Sequence, residues 1–364
     1  MSKKSLRTAV LLATLAALTG FGSCGNKKTE ATLPLGAIFP LTGDTASYGR
    51  AAKQGIDMAV EEINARGGIA GRQIQVIYED DQGQANKAIA AMEKLQSVDK
   101  VPVVMGSAGS SVTLALCPTA NREKVVMITP ISSSQELTGK CGQFFFRVCP
   151  SDAVQASMMA DWFHEDGRQK AGIIFVNNSW GQGLREEFES KFKALGGQIV
   201  AEEAIKEGDR DLRAQLTKVK AANPDALYAI TYGREGGALL RQAKELALRI
   251  PIYGADVWGS PELAETAGGT ARGAKIIVPA KFQGPKYSEF ADAFKKKYGL
   301  LPDTYASYSY DMAMILAKAL SKADRGDALR EALSAASYEG VTGLTEFDQN
   351  GDIVGKGFEK KVLP

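Results

Sequence analysis

Four short stretches carry residue types able to hold a small charged molecule. Val103 to Leu116 reads VVMGSAGSSVTLAL, in which an apolar, β-branched run stops at Gly106, a glycine and serine loop follows, and an apolar periodic segment starts near Val112. This is a strand handing the chain to a helix N-terminus, where backbone N–H groups without intrahelical partners and the helix dipole attract an anion. The loop lacks the G-x-G-x-x-G spacing of a dinucleotide site and the Gly-Lys-Ser/Thr ending of a phosphate loop, which argues against a nucleotide. Helix capping by Ser110 or Ser111 is the competing use of the same residues. A second loop, Ile131-Ser132-Ser133-Ser134, follows the strand-like VVMITP. Two neighbouring strands thus open into hydroxyl-rich loops at their C-terminal ends, the edge at which open α/β sheets bind ligands. Further on, Tyr232 ends DALYAITY and Asp256 ends PIYGAD. Donors on one side, with a phenol and a carboxylate on the other, suit a zwitterion.

Other chemistries lack raw material. His164 is the only histidine and no C-x-x-C occurs, so neither a zinc site nor a histidine-based triad is expected. FDQNGDIVG, Phe347 to Gly355, opens like a calcium loop but has no Glu at the last ligand position, and Asn-Gly between apolar flanks reads better as a hairpin turn. Asp256 with Tyr232 is the one acid/base pair near the presumed cleft. The reading therefore assigns no catalytic residue, metal or cofactor.

These loops need a scaffold. LPLGAIF (33–39), RQIQVIYE (72–79), VPVVMG (101–106) and VVMITP (125–130) read as strands, with helical spacing over 48–66, 84–96 and 111–123. After Pro150 the pattern restarts with strands at 171–176, 198–205, 225–232, 250–256 and 274–279. Short strands with little alternation, joined by helices, predict parallel sheets covered on both faces. The fold class is therefore α/β, with two doubly wound parallel-sheet lobes. Helical segments at 286–298 and 304–322 are left needing a partner for their apolar faces.

At the N-terminus, Lys3, Lys4 and Arg7 precede the apolar run Ala9 to Leu18 and a small-residue zone ending at Cys24. That order describes an export signal, and the run is too short to span a bilayer of about 30 Å. Removing residues 1–23 takes three positive charges from a net +2 and leaves a charge near −1. There is no basic surplus for nucleic acid. Beyond Cys24 lie Cys117, Cys141 and Cys149, enough for one disulfide and one free thiol in an oxidising compartment. An extended step from Cys141 to Cys149 would cover about 25 Å, too far for a bridge, so Cys117 with either remains open.

Taken together, GAIFPLTGDTASYGRAAKQGIDMAVEEINARGGIAGRQIQVIYEDDQ, VVMGSAGSS, MITPISSSQELT, FFFRVCPSD, NNSWGQG, YGREGGALLRQA and YGADVW resemble the type I periplasmic binding proteins of branched-chain amino-acid ABC transporters. The likeness runs from about Leu33 to the C-terminus. It implies two lobes joined by three crossing segments, near 148–151, 279–281 and 343–347. Lobe 1 would comprise 33–149 and 281–343, and lobe 2 would comprise 150–280 and 344–364. Phe21-Gly22-Ser23-Cys24 resembles a lipoprotein signal, which implies lipidation of Cys24 after a signal peptide of 1–23, with 24–32 as tether.

The resemblance also implies site roles. The ligand carboxylate would be held by Ser110, the Ile131 backbone and Ser133, and the ammonium by Asp256 with Tyr232 assisting. Tyr48, Trp180 and Tyr305 would form aromatic walls, with Trp258 either wall or rim. Asp256 stands where the family commonly has glutamate, and Trp180 where it has tyrosine. The implied function is capture of a branched-chain or other apolar amino acid between closing lobes and its delivery to an ABC permease, by a monomer in the periplasm or on the outer face of the membrane. The alternatives are an amide, urea or aromatic carboxylate as ligand, Arg234 serving a second carboxylate, or the ligand-sensing lobe of a receptor.

Overall fold

The computed structural model describes residues 32–364. The export segment, Cys24 and residues 25–31 lie outside the described residues. Thr32, assigned to the tether, already pairs with Gln73 in the first strand. The first unit alternates β1 (Thr32–Phe39), α1 (Ala46–Ala65), β2 (Gln73–Asp80), α2 (Ala85–Ser97), β3 (Val103–Gly106), α3 (Ser110–Arg122), β4 (Val126–Thr129), a short turn α4 (Leu137–Lys140) and β5 (Phe145–Arg147). The second continues with α5 (Asp152–Glu165), β6 (Lys170–Val176), α6 (Ser179–Ala194), β7 (Gln198–Ile205), α7 (Arg213–Ala221), β8 (Ala226–Ile230), α8 (Gly233–Glu245), β9 (Ile252–Gly254), α9 (Pro261–Ala267) and β10 (Lys275–Pro279). The chain then runs through α10 (Pro285–Tyr298), α11 (Thr304–Leu320), α12 (Gly326–Ser334), β11 (Tyr338–Gly340), β12 (Gly343–Thr345) and β13 (Phe358–Val362).

Both large sheets have the same order. The first is β2-β1-β3-β4-β5 and the second β7-β6-β8-β9-β10 with β13 added at its edge. All pairings in them are parallel except that of β13 with β10. In each unit the order reverses beside the first strand, creating the crevice at the strand ends where α/β folds take ligands. The first sheet is buried on both faces. Leu35, Ala37, Phe39, Val103, Met105 and Ile128 point into one core, while Ile38, Val104, Met127 and Phe145 point into the other. This is why its strands read as continuous apolar runs.

The two unpartnered helices join the first unit. Tyr308, Met312, Ile315 and Leu316 of α11 enter its core, and Phe290 and Phe294 of α10 pack with Ala51 and Ala59 of α1. Gly55 permits this contact, because a Cβ there would sit 2.0 Å from the Ala306 carbonyl oxygen. Burying such side chains contributes roughly 1.5–3 kcal/mol each.

Three features differ from the sequence reading. FFFRV contains an edge strand, β5, and the C-terminal residues contain β13. The third passage between sheets also falls later than 343–347. Phe347 meets Phe146 edge-on at 5.2 Å, and Asp352 pairs with the fully buried Arg147 at 2.6 Å, so residues 344–353 stay with the first unit and β13 begins only at Phe358. The Asn-Gly segment does turn back on itself, with Phe347 bridging Ile353 and Asp348 Oδ1 accepting from the N–H groups of Asn350 and Asp352. Cys117 is bonded to Cys141, tying α3 to the end of α4, and Cys149 is free and buried.

Candidate functional site

The C-terminal ends of the two sheets face each other across a cavity of about 80 Å³. Ser110, Ile131, Ser133, Tyr232, Asp256, Tyr48, Trp180 and Tyr305 all line it, so strand ends far apart in sequence converge on one pocket. Ser111, read from the sequence as a possible helix cap, lines it too, as do Thr45, Asn178 and Glu207, which the sequence reading does not single out. No basic side chain is among its lining residues.

The first unit's wall hangs on buried hydroxyls. β3 ends at Gly106, whose φ is +131° and where a Cβ would sit 2.0 Å from the Ile38 carbonyl oxygen, so only glycine lets the loop leave there. Beyond it, Thr113 Oγ1 and Ser132 Oγ lie 2.7 Å apart, and the hydroxyls of Thr129 and Ser132 donate to the Ser107 carbonyl at 2.7 and 2.9 Å. These four residues are buried. The network locks the β3 and β4 loops together, and the start of α3 then presents its first-turn N–H groups. Ser110 Oγ accepts from Ser134 N–H at 3.2 Å, which leaves its own proton for the pocket.

One assigned donor is committed elsewhere. The Ile131 N–H donates to Thr129 Oγ1 at 3.2 Å, although Ile131 lines the cavity. The Ser133 N–H has no acceptor among the described residues and is the donor better placed for an anion.

The second unit's wall is aromatic and acidic. Asn178 caps α6 by accepting from Gly181 N–H at 3.0 Å, while its Nδ2 donates to the Tyr232 hydroxyl at 3.1 Å. That fixes Tyr232 against Trp180, with ring centroids 4.9 Å apart and planes 13° from parallel. From the first unit, Tyr48 meets Tyr305 edge-on at 5.4 Å and Tyr232 at 6.1 Å. Half-buried Asp256 lies beside this box, its N–H donating to Gln155 Oε1 at 2.9 Å and its Oδ1 accepting from Gln155 Nε2 at 3.1 Å. Burial pushes its carboxyl up to about 6, against the lowering effect of Gln155 and local backbone N–H groups.

Contacts between the units close the cleft. Ser179 N–H donates to Ser111 Oγ at 2.9 Å and Ser134 Oγ donates to the Ser179 carbonyl at 3.1 Å. At the rim, Asp44 pairs with Arg210 at 3.2 Å and Arg234 at 3.6 Å. Arg234 is thus a rim charge outside the cavity lining, and Trp258 is neither wall nor rim. The Trp258 indole is buried in the second core and donates to the Thr231 carbonyl at 3.0 Å.

The family model described as periplasmic binding protein matches residues 32–356. The chain belongs to the periplasmic binding protein family. It is 30% identical to the leucine-, isoleucine-, valine-, threonine- and alanine-binding protein of Pseudomonas aeruginosa, an alignment covering 100% of this chain and 96% of that one. The crystal structure of a leucine-binding protein from Thermotoga maritima superposes with a TM-score of 0.85 at 28% identity, covering 91% of this chain and 95% of that chain. A solute-binding protein of an ABC transporter from Rhodopseudomonas palustris, solved with 3,4-dihydroxybenzoic acid, superposes with a TM-score of 0.83 at 26% identity, covering 92% and 93%.

The two hydrogen bonds of Ser179 hold the units against each other beside the cavity. A small acid is the group shared by the ligands these relatives are named for or solved with. On the first unit, the cavity is lined by the hydroxyl-bearing Ser110 and Ser133 and by the start of α3.

Proposed function

We propose that this protein captures an α-amino acid with a branched or other apolar side chain and delivers it to the membrane permease of an ABC transporter. The observation that carries the reading is the opposition of neutral donors on one unit to Asp256 on the other. The carboxylate takes the Ser110 and Ser133 hydroxyls and the free N–H groups, the ammonium takes Asp256, and the side chain lies among Tyr48, Trp180, Tyr232 and Tyr305. Each charge-assisted hydrogen bond contributes about 1.5–3 kcal/mol when made, and only the closed form makes both sets. Ligand therefore favours closure by differential affinity, and the closed shape is what the permease would read.

The protein would work as a monomer outside the cytoplasm, exported by residues 1–23 and anchored through Cys24. The export reading is supported by the signal-like N-terminus and the family, and the anchor by the sequence around Cys24.

The test is a thermal-shift screen of the purified protein against the twenty amino acids, with urea, amides and aromatic acids alongside. A rise in Tm with leucine, isoleucine or valine supports the reading through mass action. A rise confined to ligands without an α-amino group refutes it. The second reading, an aromatic carboxylate, is favoured by the four-ring box and the dihydroxybenzoate-bound relative. An aromatic acid would leave Asp256 without a cation, so Asp256→Asn should spare such a ligand while weakening an amino acid by about 100-fold.

A further inference from the structure

Behind the pocket wall, two carboxylates share one amide. Asp152, in the first turn of α5 and fully buried, has Oδ1 3.3 Å from Nε2 of Gln155, the nitrogen that also donates to Asp256 Oδ1. Its other oxygen, Oδ2, lies 3.0 Å from Ser133 Oγ. Asp152 thus touches the hydroxyl at the carboxylate end of the pocket and, through Gln155, the carboxylate at the ammonium end. It does not itself line the cavity.

We propose that Asp152 is a positioning residue that works as a neutral acid, donating its O–H to Ser133 Oγ and thereby turning the Ser133 proton onto the ligand carboxylate. This direction follows if the Ser133 hydroxyl is to donate to a ligand carboxylate, because with an ionised Asp152 the same 3.0 Å contact has Ser133 donating inward. An ionised Asp152 accepts only, so it would draw the Ser133 O–H toward itself and leave a lone pair facing an anion. A neutral Asp152 keeps a carbonyl oxygen for Gln155 and has a proton for Ser133. The inference rests on the reading of a carboxylate ligand in this pocket.

The surroundings favour the neutral form. Burial, and then the neighbouring Asp256, hold Asp152 well above the usual carboxylate range. Among the described residues Arg147 on β5 is the one cation acting on it, and its guanidinium is already engaged by Asp352 and by the carbonyls of Ser133 and Ser134. The remaining titratable neighbours, Tyr228 on β8 and Cys149, are held in their neutral forms by burial. Asp256 lines the cavity and Asp152 does not, so Asp256 is the carboxylate whose charge a ligand cation can meet.

The test is calorimetry with leucine on the wild type, Asp152→Ala and Asp152→Asn at pH 7, together with melting curves without ligand. Asparagine copies the neutral acid, with an amide for Ser133 and an oxygen for Gln155. Asp152→Ala is expected to weaken leucine about tenfold, and Asp152→Asn to recover most of that loss. In a Ser133→Ala background, Asp152→Ala should add about twofold or less, because its effect runs through that hydroxyl. A loss with Asp152→Asn as large as with Asp152→Ala overturns the proposal, since the charge would then be needed. Without ligand, a raised carboxyl makes the wild type lose stability as pH rises above about 4, so the Tm advantage of Asp152→Asn should grow from pH 4 to 8. A constant or shrinking advantage also overturns it. If no amino acid binds the wild type, the functional reading fails, while the melting arm still decides whether Asp152 is neutral.

Discussion

The two walls of the cleft sit on sheets of the same strand order but handle charge in opposite ways. The first unit offers hydroxyls and N–H groups on a frame of buried hydrogen bonds among Ser107, Thr113, Thr129 and Ser132. The second offers a carboxylate, Asp256, raised by its own burial and steadied by Gln155. A neutral wall costs little to bury and does not titrate, whereas an acid wall is destabilising until a cation arrives. The site therefore draws fixed geometry from one unit and a ligand-dependent charge balance from the other.

The acid wall is where the account is easiest to break. Asp256→Ala should weaken an amino-acid ligand by about 100-fold, corresponding to about 3 kcal/mol for a lost charged hydrogen bond, as read by calorimetry. Unchanged affinity would remove Asp256 from the site. Next comes pH. Burial pushes the unliganded Asp256 carboxyl up to about 6, so affinity should fall as pH drops through that region, by up to about tenfold per unit, because the ammonium loses its partner. The sign for stability is the reverse. A raised folded value means this group favours the unliganded fold most at low pH and loses that contribution as pH climbs toward 6, so the shift in Tm on adding ligand should grow over that interval.

The donor wall should be more forgiving. Ser110→Ala is expected to cost about fivefold in affinity, near 1 kcal/mol, since the α3 N–H groups and Ser133 remain. A loss matching that of Asp256→Ala would refute the shared-donor arrangement. Smallest of all is the rim. Asp44→Ala removes exposed pairs with Arg210 and Arg234, and such pairs contribute about 0–1 kcal/mol, so affinity should change by no more than with Ser110→Ala and the change should vanish at high salt.

Much of this contrast is readable before any coordinates. The apolar runs, the glycine and serine loops after β3 and β4, and the acid after β9 follow from local grammar, and the strand-end rule brings their residues to one edge. The roles of Ser133, Trp180 and Tyr305 came through resemblance to a family, because nothing local distinguishes a pocket aromatic from a packed one. Trp258 makes the point, since it stands two residues from Asp256 and yet fills the core. Asp152 and Gln155 went unnoticed because their importance lies in contacts to Ser133 and Asp256, which are set by how the units meet. The edge strands β5 and β13 were missed for a related reason, as three and five residues carry too little periodic signal to stand out.

The most direct test of the opposed walls is a calorimetric comparison of leucine with 4-methylpentanoate, which keeps the side chain and carboxylate but lacks the ammonium. The account predicts that leucine binds and that the deaminated acid is weaker by about 100-fold, since it leaves the Asp256 wall uncompensated. Equal affinity for the two would contradict it, and would mean that the first unit's wall does the binding alone.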